Sequence, residues 1–326
     1  MSTGVLHDAA GLTISATEPI PGLPRAPREQ PPDLHIHLES RPPWHLSDFH
    51  TFHTSSVVDS SGEPLVAVAR SELGYHFKYA DGTDAWVDFD GNEIWCTSAP
   101  EATLDDTATY LTGPILGFAL RRRGALSLHA SAVRVGAGAL LMVGGHGRGK
   151  STTAAALTRR GCALITDDVM HLRRGDSGWL AEPFAAGLRL WPEAVTLVLG
   201  PDVSLPRITP TWDKRLLYEP GFGTTPASPP VPVRSIAFLE AREAGPSTPR
   251  LSPIGSAESV VALAANSSAS HLLDDEARVA EFGALGDLVR RVRCIKAVAS
   301  DRPGTLQSFV DLIHDWALED TASNVR

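Results

Sequence analysis

The sequence predicts a mixed α/β chain, with a smaller β-rich region over residues 1–124 followed by an α/β region over 125–326. Three observations predict it. Between residues 64 and 98, short β-branched and aromatic runs are separated by Asp81-Gly82 and Asp90-Gly91 turn signals. Residues 139–152, ALLMVGGHGRGKST, pass from an apolar strand-length run through a glycine loop into Lys150, Ser151 and Thr152. Beyond that loop, strand-like apolar runs alternate with helical apolar stripes, the pattern of a sheet covered by helices.

Composition narrows the function classes. A chain of 326 residues with 43% hydrophobic content buries a sizeable core, and its length suits two domains. A formal charge of −9 offers no basic surface for nucleic acid, and no apolar run approaches the roughly 18 residues that span a bilayer. The first residues, MSTGVLHDAAG, lack the basic and apolar segments of a signal peptide. Cys96, Cys162 and Cys294 are too few and too scattered for a disulfide framework or a zinc pattern, which suits a reducing cytoplasm.

In the first region, residues 20–32 are extended and punctuated by proline, and Leu34–Leu38 can form a short strand placing His35 and His37 on one face. His45, His50 and His53 lie close together, but no acidic or cysteine partner stands at ligand spacing, so they read as a solvated loop. LVAVARS, LGYHFKY, AWVDFD and EIWCTS then read as an antiparallel meander. Thr103–Arg123 follows as a helix with Leu111, Ile115, Phe118 and Ala119 on its apolar stripe, kinked at Gly113-Pro114.

The second region opens with LSLHASAVRV (126–135), read as one alternating strand that puts His129 on its more polar face. A Gly-Ala-Gly turn leads back through the strand Ala139–Val143 into GxxxxGK[ST]. Such a loop lets successive backbone N–H groups converge on phosphate oxygens, and the helix that follows adds its positive N-terminal end. Gly144, Gly145, His146, Gly147, Arg148, Gly149, Lys150, Ser151 and Thr152 are therefore the candidate nucleotide-binding residues. Lys150 would reach the β- and γ-phosphates and Ser151 would hold Mg²⁺. The helix TTAAALTRRG closes at Gly161, and CALITDD (162–168) is a strand ending in Asp167 and Asp168, which alternation would turn to opposite sides. One would serve the metal shell while the other faces an acceptor.

VMHLRRG and WLAEPF should pair across Asp176-Ser177-Gly178, and Pro192–Leu199 should form a short helix. Arg189 and Trp191 either border the site or pack. Residues 200–232, with Thr-Trp-Asp-Lys-Arg inside, suit a long functional loop. Val279, Phe282, Leu285, Val289 and Val292 mark one amphipathic helix, and Leu306, Phe309, Val310, Ile313 and Trp316 mark another, with CIKAVAS as a buried strand between them. The stripes would cover the sheet or form a homo-oligomer contact.

LHASAV, GGHGRGKSTTAAALTRRG and ALITDD together resemble the kinase domain of HPr kinase/phosphorylase and the broader group of HPr-kinase-like serine kinases. The resemblance implies a P-loop kinase domain of the HPr kinase C-terminal type, with ATP and Mg²⁺. It implies that His129 takes the place of the family's histidine before the loop, and that Asp168 accepts the proton of an acceptor serine. Asp213-Lys214-Arg215 and PVPVRSIAFLEA (230–241) resemble the family's catalytic-arginine region and the strand after it, which implies Arg215 or Lys214 at the phosphates.

There are departures. HPr kinases usually carry Ser where His146 stands and Glu where Thr152 stands, and their Leu-Glu-x-Arg-Gly signature, which serves the reverse reaction, is replaced here by EPFAAGLRLWPEAV. Glu182 or Glu193 would have to replace its metal ligand. The chain is more similar overall to HPr-kinase-like proteins with an LHAS-type strand and a β-rich N-terminal domain, some of which phosphorylate serine on ribosomal peptide precursors such as lasso peptide precursors. The expectation is an ATP-dependent serine kinase acting on a protein or peptide. The alternatives are a small-molecule hydroxyl kinase and a non-catalytic ATP-binding regulator or scaffold.

Overall fold

Alternating burial builds the first of two large sheets. β1 (Val5–Ala9), β2 (Leu12–Ala16), β3 (Leu34–Leu38), β4 (His50–Thr54), β5 (Val66–Arg70), β6 (Gly74–Tyr79), β7 (Asp84–Asp88) and β8 (Glu93–Thr97) are arranged in the order β1-β2-β3-β8-β7-β6-β5-β4. In the computed structural model the described residues are all except 1–3, 27–29, 46–47, 185–186, 211, 219–228, 243–247, 303 and 324–326. The chain divides into two units, Met1–Ala125 with Thr209–Thr211, and Leu126–Ile208 with Trp212–Arg326. Among the described residues, no helix is long and apolar enough to cross a membrane.

In the first unit β5 to β8 form the expected antiparallel meander, while β2, β3 and β8 run parallel. Ile14, Leu34, Ile36, Ile94 and Trp86 are fully buried. The stretch holding His50 and His53 is the edge strand β4, not the loop expected. Its backbone pairing with β5 supplies order that its polar sequence does not advertise. Thr103 caps α1 (Leu104–Tyr110) in a reciprocal capping box with Asp106, and α2 (Leu116–Arg122) follows a π-helical turn. The turn contains Pro114 and the non-helical Gly113 (φ −106°, ψ −107°), which is the kink the sequence predicts.

The second unit does not begin with the single strand expected over 126–135. Residues 126–135 form two strands, β9 (Leu126–Leu128) and β10 (Ala130–Val135), broken at His129. β9 pairs with β13 (Met170–Gly175), whereas β10 pairs with β11 (Gly138–Val143) and β12 (Ala163–Thr166). The break is pinned from the side: the His129 N–H donates to the Asn266 carbonyl at 2.7 Å and the Ser268 N–H to the Ser127 carbonyl at 3.0 Å. With β14 (Gly178–Glu182) and β17 (Val231–Leu239), the sheet order is β12-β10-β11-β17-β14-β13-β9. β19 (Arg293–Val298) joins β17, and β18 (Arg250–Pro253) pairs with β19. β11, β17 and β19 are parallel, so their C-terminal ends open on one side of the sheet.

Every residue of β11 is buried because both faces are covered. On one face Leu140 and Met142 pack with α3 (Lys150–Arg159), α4 (Pro192–Leu199) and α7 (Leu306–Ser323). On the other, Leu141 and Val143 pack with α5 (Ser256–Ala265) and α6 (Asp275–Arg291). α6 departs from its predicted stripe: Leu285, Leu288 and Val289 are buried, but Val279 and Phe282 are exposed. Only the C-terminal half of that helix packs on the sheet. Of the loop expected over 200–232, residues 211 and 219–228 lie outside the described residues; the remainder includes β16 (Arg215–Leu217), which pairs with β15 (Leu188–Leu190).

Candidate active site

The glycine loop leaves the C-terminal end of β11 and enters α3. Gly147 and Gly149 have φ of 75° and 90°, a region costly for residues with a Cβ, and Gly149 is the residue immediately before the helix. Gly144 is required for a different reason: a Cβ there would stand 2.6 Å from the Leu239 carbonyl of the neighbouring parallel strand. Gly145, His146, Gly147 and Arg148 are exposed, while Lys150 is buried. The Lys150 ammonium donates to the carbonyls of Gly144 at 2.7 Å and Gly145 at 3.1 Å. Burial pushes its pKa down, opposed by the carboxylates of Asp168 and Asp167.

Asp167 and Asp168 follow β12 rather than ending it, and Asp168 adopts a left-handed φ of 73°. Their divergence therefore comes from the turn and not from strand alternation. Asp167 is buried and its carboxylate accepts three hydrogen bonds, from Ser131 Oγ at 2.5 Å, Ser151 Oγ at 2.9 Å and the Arg189 N–H at 3.0 Å. Ser131 and the Arg189 backbone thus aim it at Ser151. A serine hydroxyl beside an oriented carboxylate is an all-oxygen donor pair that fits Mg²⁺, which takes few protein ligands and keeps waters and phosphate oxygens. Among the described residues no group of three or more His, Cys, Asp or Glu stands ready to hold a metal alone. Glu182 is buried and paired with Arg173 at 2.7 Å, and Glu193 is exposed on α4; neither lines the cavity over the loop.

Asp168 faces that cavity with His129. The His129 Nδ1–H donates to the Asp168 carbonyl at 2.9 Å and lies 3.1 Å from its carboxylate Oδ1, while Arg189 Nη1 is 3.9 Å from Oδ2. Burial alone would raise the Asp168 pKa. The hydrogen bond and charge from His129, with the charges of Arg189 and Lys214, outweigh it and hold the carboxyl well below the usual carboxylate range. The pairing break at His129 is what allows this contact: between the ladder of β9 with β13 and that of β10 with β11 and β12, it sets the imidazole at the level of the turn after β12.

The cavity brings together His129, His146, Gly147, Gly149, Lys150, Ser151, Thr152 and Asp168, and adds Arg189, Trp191, Lys214 and Arg242. Arg215 is not part of its lining. It belongs to β16, its guanidinium binds Asp213 at 2.9 Å, and its neighbour Lys214 takes the cavity position, because successive side chains of extended backbone diverge. Arg148 and Arg242 line a second cavity that shares Gly149 and Thr152 with the first and extends to Asp301, Arg302 and Phe309. Arg242 went unread in the sequence. Its guanidinium lies 3.6 Å from where a Cβ on Gly149 would stand, and the only local signal is its place just after a strand parallel to β11. Ser131 shares the polar face that alternation gives His129, but nothing in the sequence assigned it a role.

No family model matches the chain, and no curated protein matches its sequence. Among solved structures it is similar to the HPr(Ser) kinase/phosphatase from Coxiella burnetii, at 15% identity and a TM-score of 0.30, over 61% of this chain and 94% of that one. So slight a likeness carries no weight for this chain's activity, which has to be argued from its side chains.

Proposed function

We propose that the chain is an ATP-dependent kinase that transfers the γ-phosphoryl group to a serine hydroxyl of a protein or peptide. The observation that carries this reading is a single cavity in which a glycine loop and Lys150 face a carboxylate, Asp168, that is clamped by His129. One half suits a polyphosphate and the other suits a hydroxyl. The triphosphate would lie along the loop and the N-terminal end of α3, with Lys150 exchanging its contacts to Gly144 and Gly145 for phosphate oxygens, and with Arg242 adding charge. The nucleoside would extend into the second cavity, towards Arg302 and Phe309. Ser151 and Asp167 would hold Mg²⁺, which supplies charge neutralisation across the phosphates when bound.

Asp168 would accept a hydrogen bond from the acceptor hydroxyl and align its oxygen for in-line attack. As the new O–P bond forms, the bond from the γ-phosphorus to the bridging oxygen breaks, ADP departs and the hydroxyl proton passes to Asp168. A carboxylate with so depressed a pKa is a weak base in the ground state. It suffices because, in a loose transition state, the hydroxyl becomes acidic only late, so alignment precedes proton transfer. The stretch 182–195 would leave the enzyme poorly equipped for phosphorolysis, making it an essentially one-way kinase.

The test is to titrate Mg-ATP into the wild-type chain and to follow transfer from γ-labelled ATP to serine peptides and to free hydroxy compounds. Mg-ATP binding by the wild-type chain, with label on a serine that Lys150→Ala reduces by at least 10²-fold, is expected. Binding without transfer to any hydroxyl would leave a nucleotide-binding regulator in place of the kinase.

A further inference from the structure

The triphosphate would use the loop side of the cavity, which leaves the character of the opposite rim to be explained. There, β15 and β16 pair with Leu188 opposite Leu217 and Leu190 opposite Arg215. Leu188, Leu190 and Leu217 are buried and anchor the ribbon. Carried one step further, that register sets Trp191 beside Lys214, and Pro192 turns the chain away into α4 immediately afterwards. The Lys214 ammonium stands 5.5 Å from the Trp191 ring centre and 5.7 Å from that of Trp212. Both indoles are nearly half exposed, at 47% and 45%.

Trp191, just past β15, and Trp212, ahead of β16, are large aromatic side chains about half exposed on either side of Lys214, the composition that recognition surfaces carry. The charge around them is also unlike the rest of the chain. Arg189, Lys214, Arg207 and Arg215 outnumber Asp168, Asp213 and Glu193, on a protein whose formal charge is −9. A small hydroxy compound reaching Asp168 would leave both indoles in water, whereas a polypeptide crossing the rim would cover them.

We propose that the acceptor is an acidic polypeptide segment that lies across Trp191 and Trp212, with an apolar residue on the indoles and an Asp or Glu close to the phosphorylated serine on Lys214. The assignment rests on the kinase reading above and names the substrate class of that same site. Electrostatic complementarity would set which segment docks, and the indoles would set how long it stays.

The experiment uses the full chain, Mg-ATP and a peptide library with one fixed serine and randomised flanks, read by phosphopeptide mass spectrometry. Enrichment of Asp or Glu together with apolar residues is expected. For the best peptide, Trp212→Ala should raise KM about 10-fold while Mg-ATP affinity by titration stays within twofold, and Lys214→Glu should turn the preference from acidic to basic flanks. A library phosphorylated without flank preference, or a KM that Trp212→Ala does not move, overturns the docking surface and leaves the kinase standing. Phosphorylation of free hydroxy compounds but not of the library overturns the docking surface and the protein or peptide acceptor together, and leaves only phosphoryl transfer from ATP standing. No transfer to any hydroxyl, with Mg-ATP bound, overturns both readings.

Discussion

His76 in the first unit and His129 in the second each hold a carboxylate, at 2.7 Å from Asp84 and 3.1 Å from Asp168. Their surroundings separate them. His76 stands mid-strand opposite Trp86 and stacks on it at 4.7 Å, and His37 repeats the arrangement on Trp95 at 5.4 Å with Glu93 as its partner. The strand ladders continue through both. His129 instead occupies a gap between two strands, and its partner Asp168 has a left-handed backbone, with Lys150, Arg189 and Lys214 around the same cavity. The same histidine–carboxylate contact is a side-chain clasp on a regular sheet and a candidate reaction centre where pairing stops and cations converge. Backbone that leaves the ladder can present groups to a ligand, and that freedom, rather than the pair itself, marks the site.

The largest effect should come from the loop. Lys150→Ala is expected to lower phosphoryl transfer by at least 10²-fold, about 3 kcal/mol of transition-state stabilisation, measured with γ-labelled ATP at saturating peptide. Transfer at the wild-type rate would remove the loop from the mechanism and erase the contrast with the first unit.

Asp168→Asn should lower transfer by roughly 10²-fold while Mg-ATP affinity stays within a few-fold, because asparagine keeps the shape but neither the charge nor the basicity. Loss of ATP binding along with transfer would make the turn a metal site. The pH dependence sharpens this. Since the folded carboxyl is depressed, the stabilisation it contributes is complete above its ordinary pKa of 3.8 and is lost as pH falls towards the lower folded value. Acid unfolding followed by circular dichroism should therefore show a shallower acid limb for Asp168→Asn than for wild type.

Asp167→Asn should act mainly on stability and on the Mg²⁺ requirement. It replaces a buried carboxylate that accepts from Ser131, Ser151 and the Arg189 backbone, at a cost of about 1–3 kcal/mol in denaturant unfolding, with a raised Mg²⁺ concentration at half-maximal transfer. An unchanged Mg²⁺ profile would leave it a purely structural anchor.

The smallest effect belongs to the first unit. His76→Gln and His37→Gln remove pairs that are partly open to water, so each should cost no more than about 1 kcal/mol and leave transfer unchanged. A large loss of transfer in either would show that the two kinds of histidine pair are not different in role.

What could be read from residues alone was whatever depends on neighbours in sequence. The loop from Gly144 to Thr152, the kink at Gly113-Pro114, the meander of β5 to β8 and the hairpin of β13 with β14 all follow from local conformational preference and period. Lys150, Ser151, Asp167 and Asp168 were legible as candidates because glycine spacing and a strand-end acidic pair are local patterns too. Only the tertiary structure decided the rest. The break of the 126–135 strand at His129 depends on Asn266 and Ser268, far along the chain, claiming its backbone. The choice of Lys214 over Arg215 depends on the register of β15 against β16. Arg242 and Ser131 enter the site because parallel pairing and a buried hydrogen bond bring distant strand positions beside the loop. Long-range pairing is set by which faces can be buried together, and that is a property of the packed sheet rather than of any stretch of residues within it.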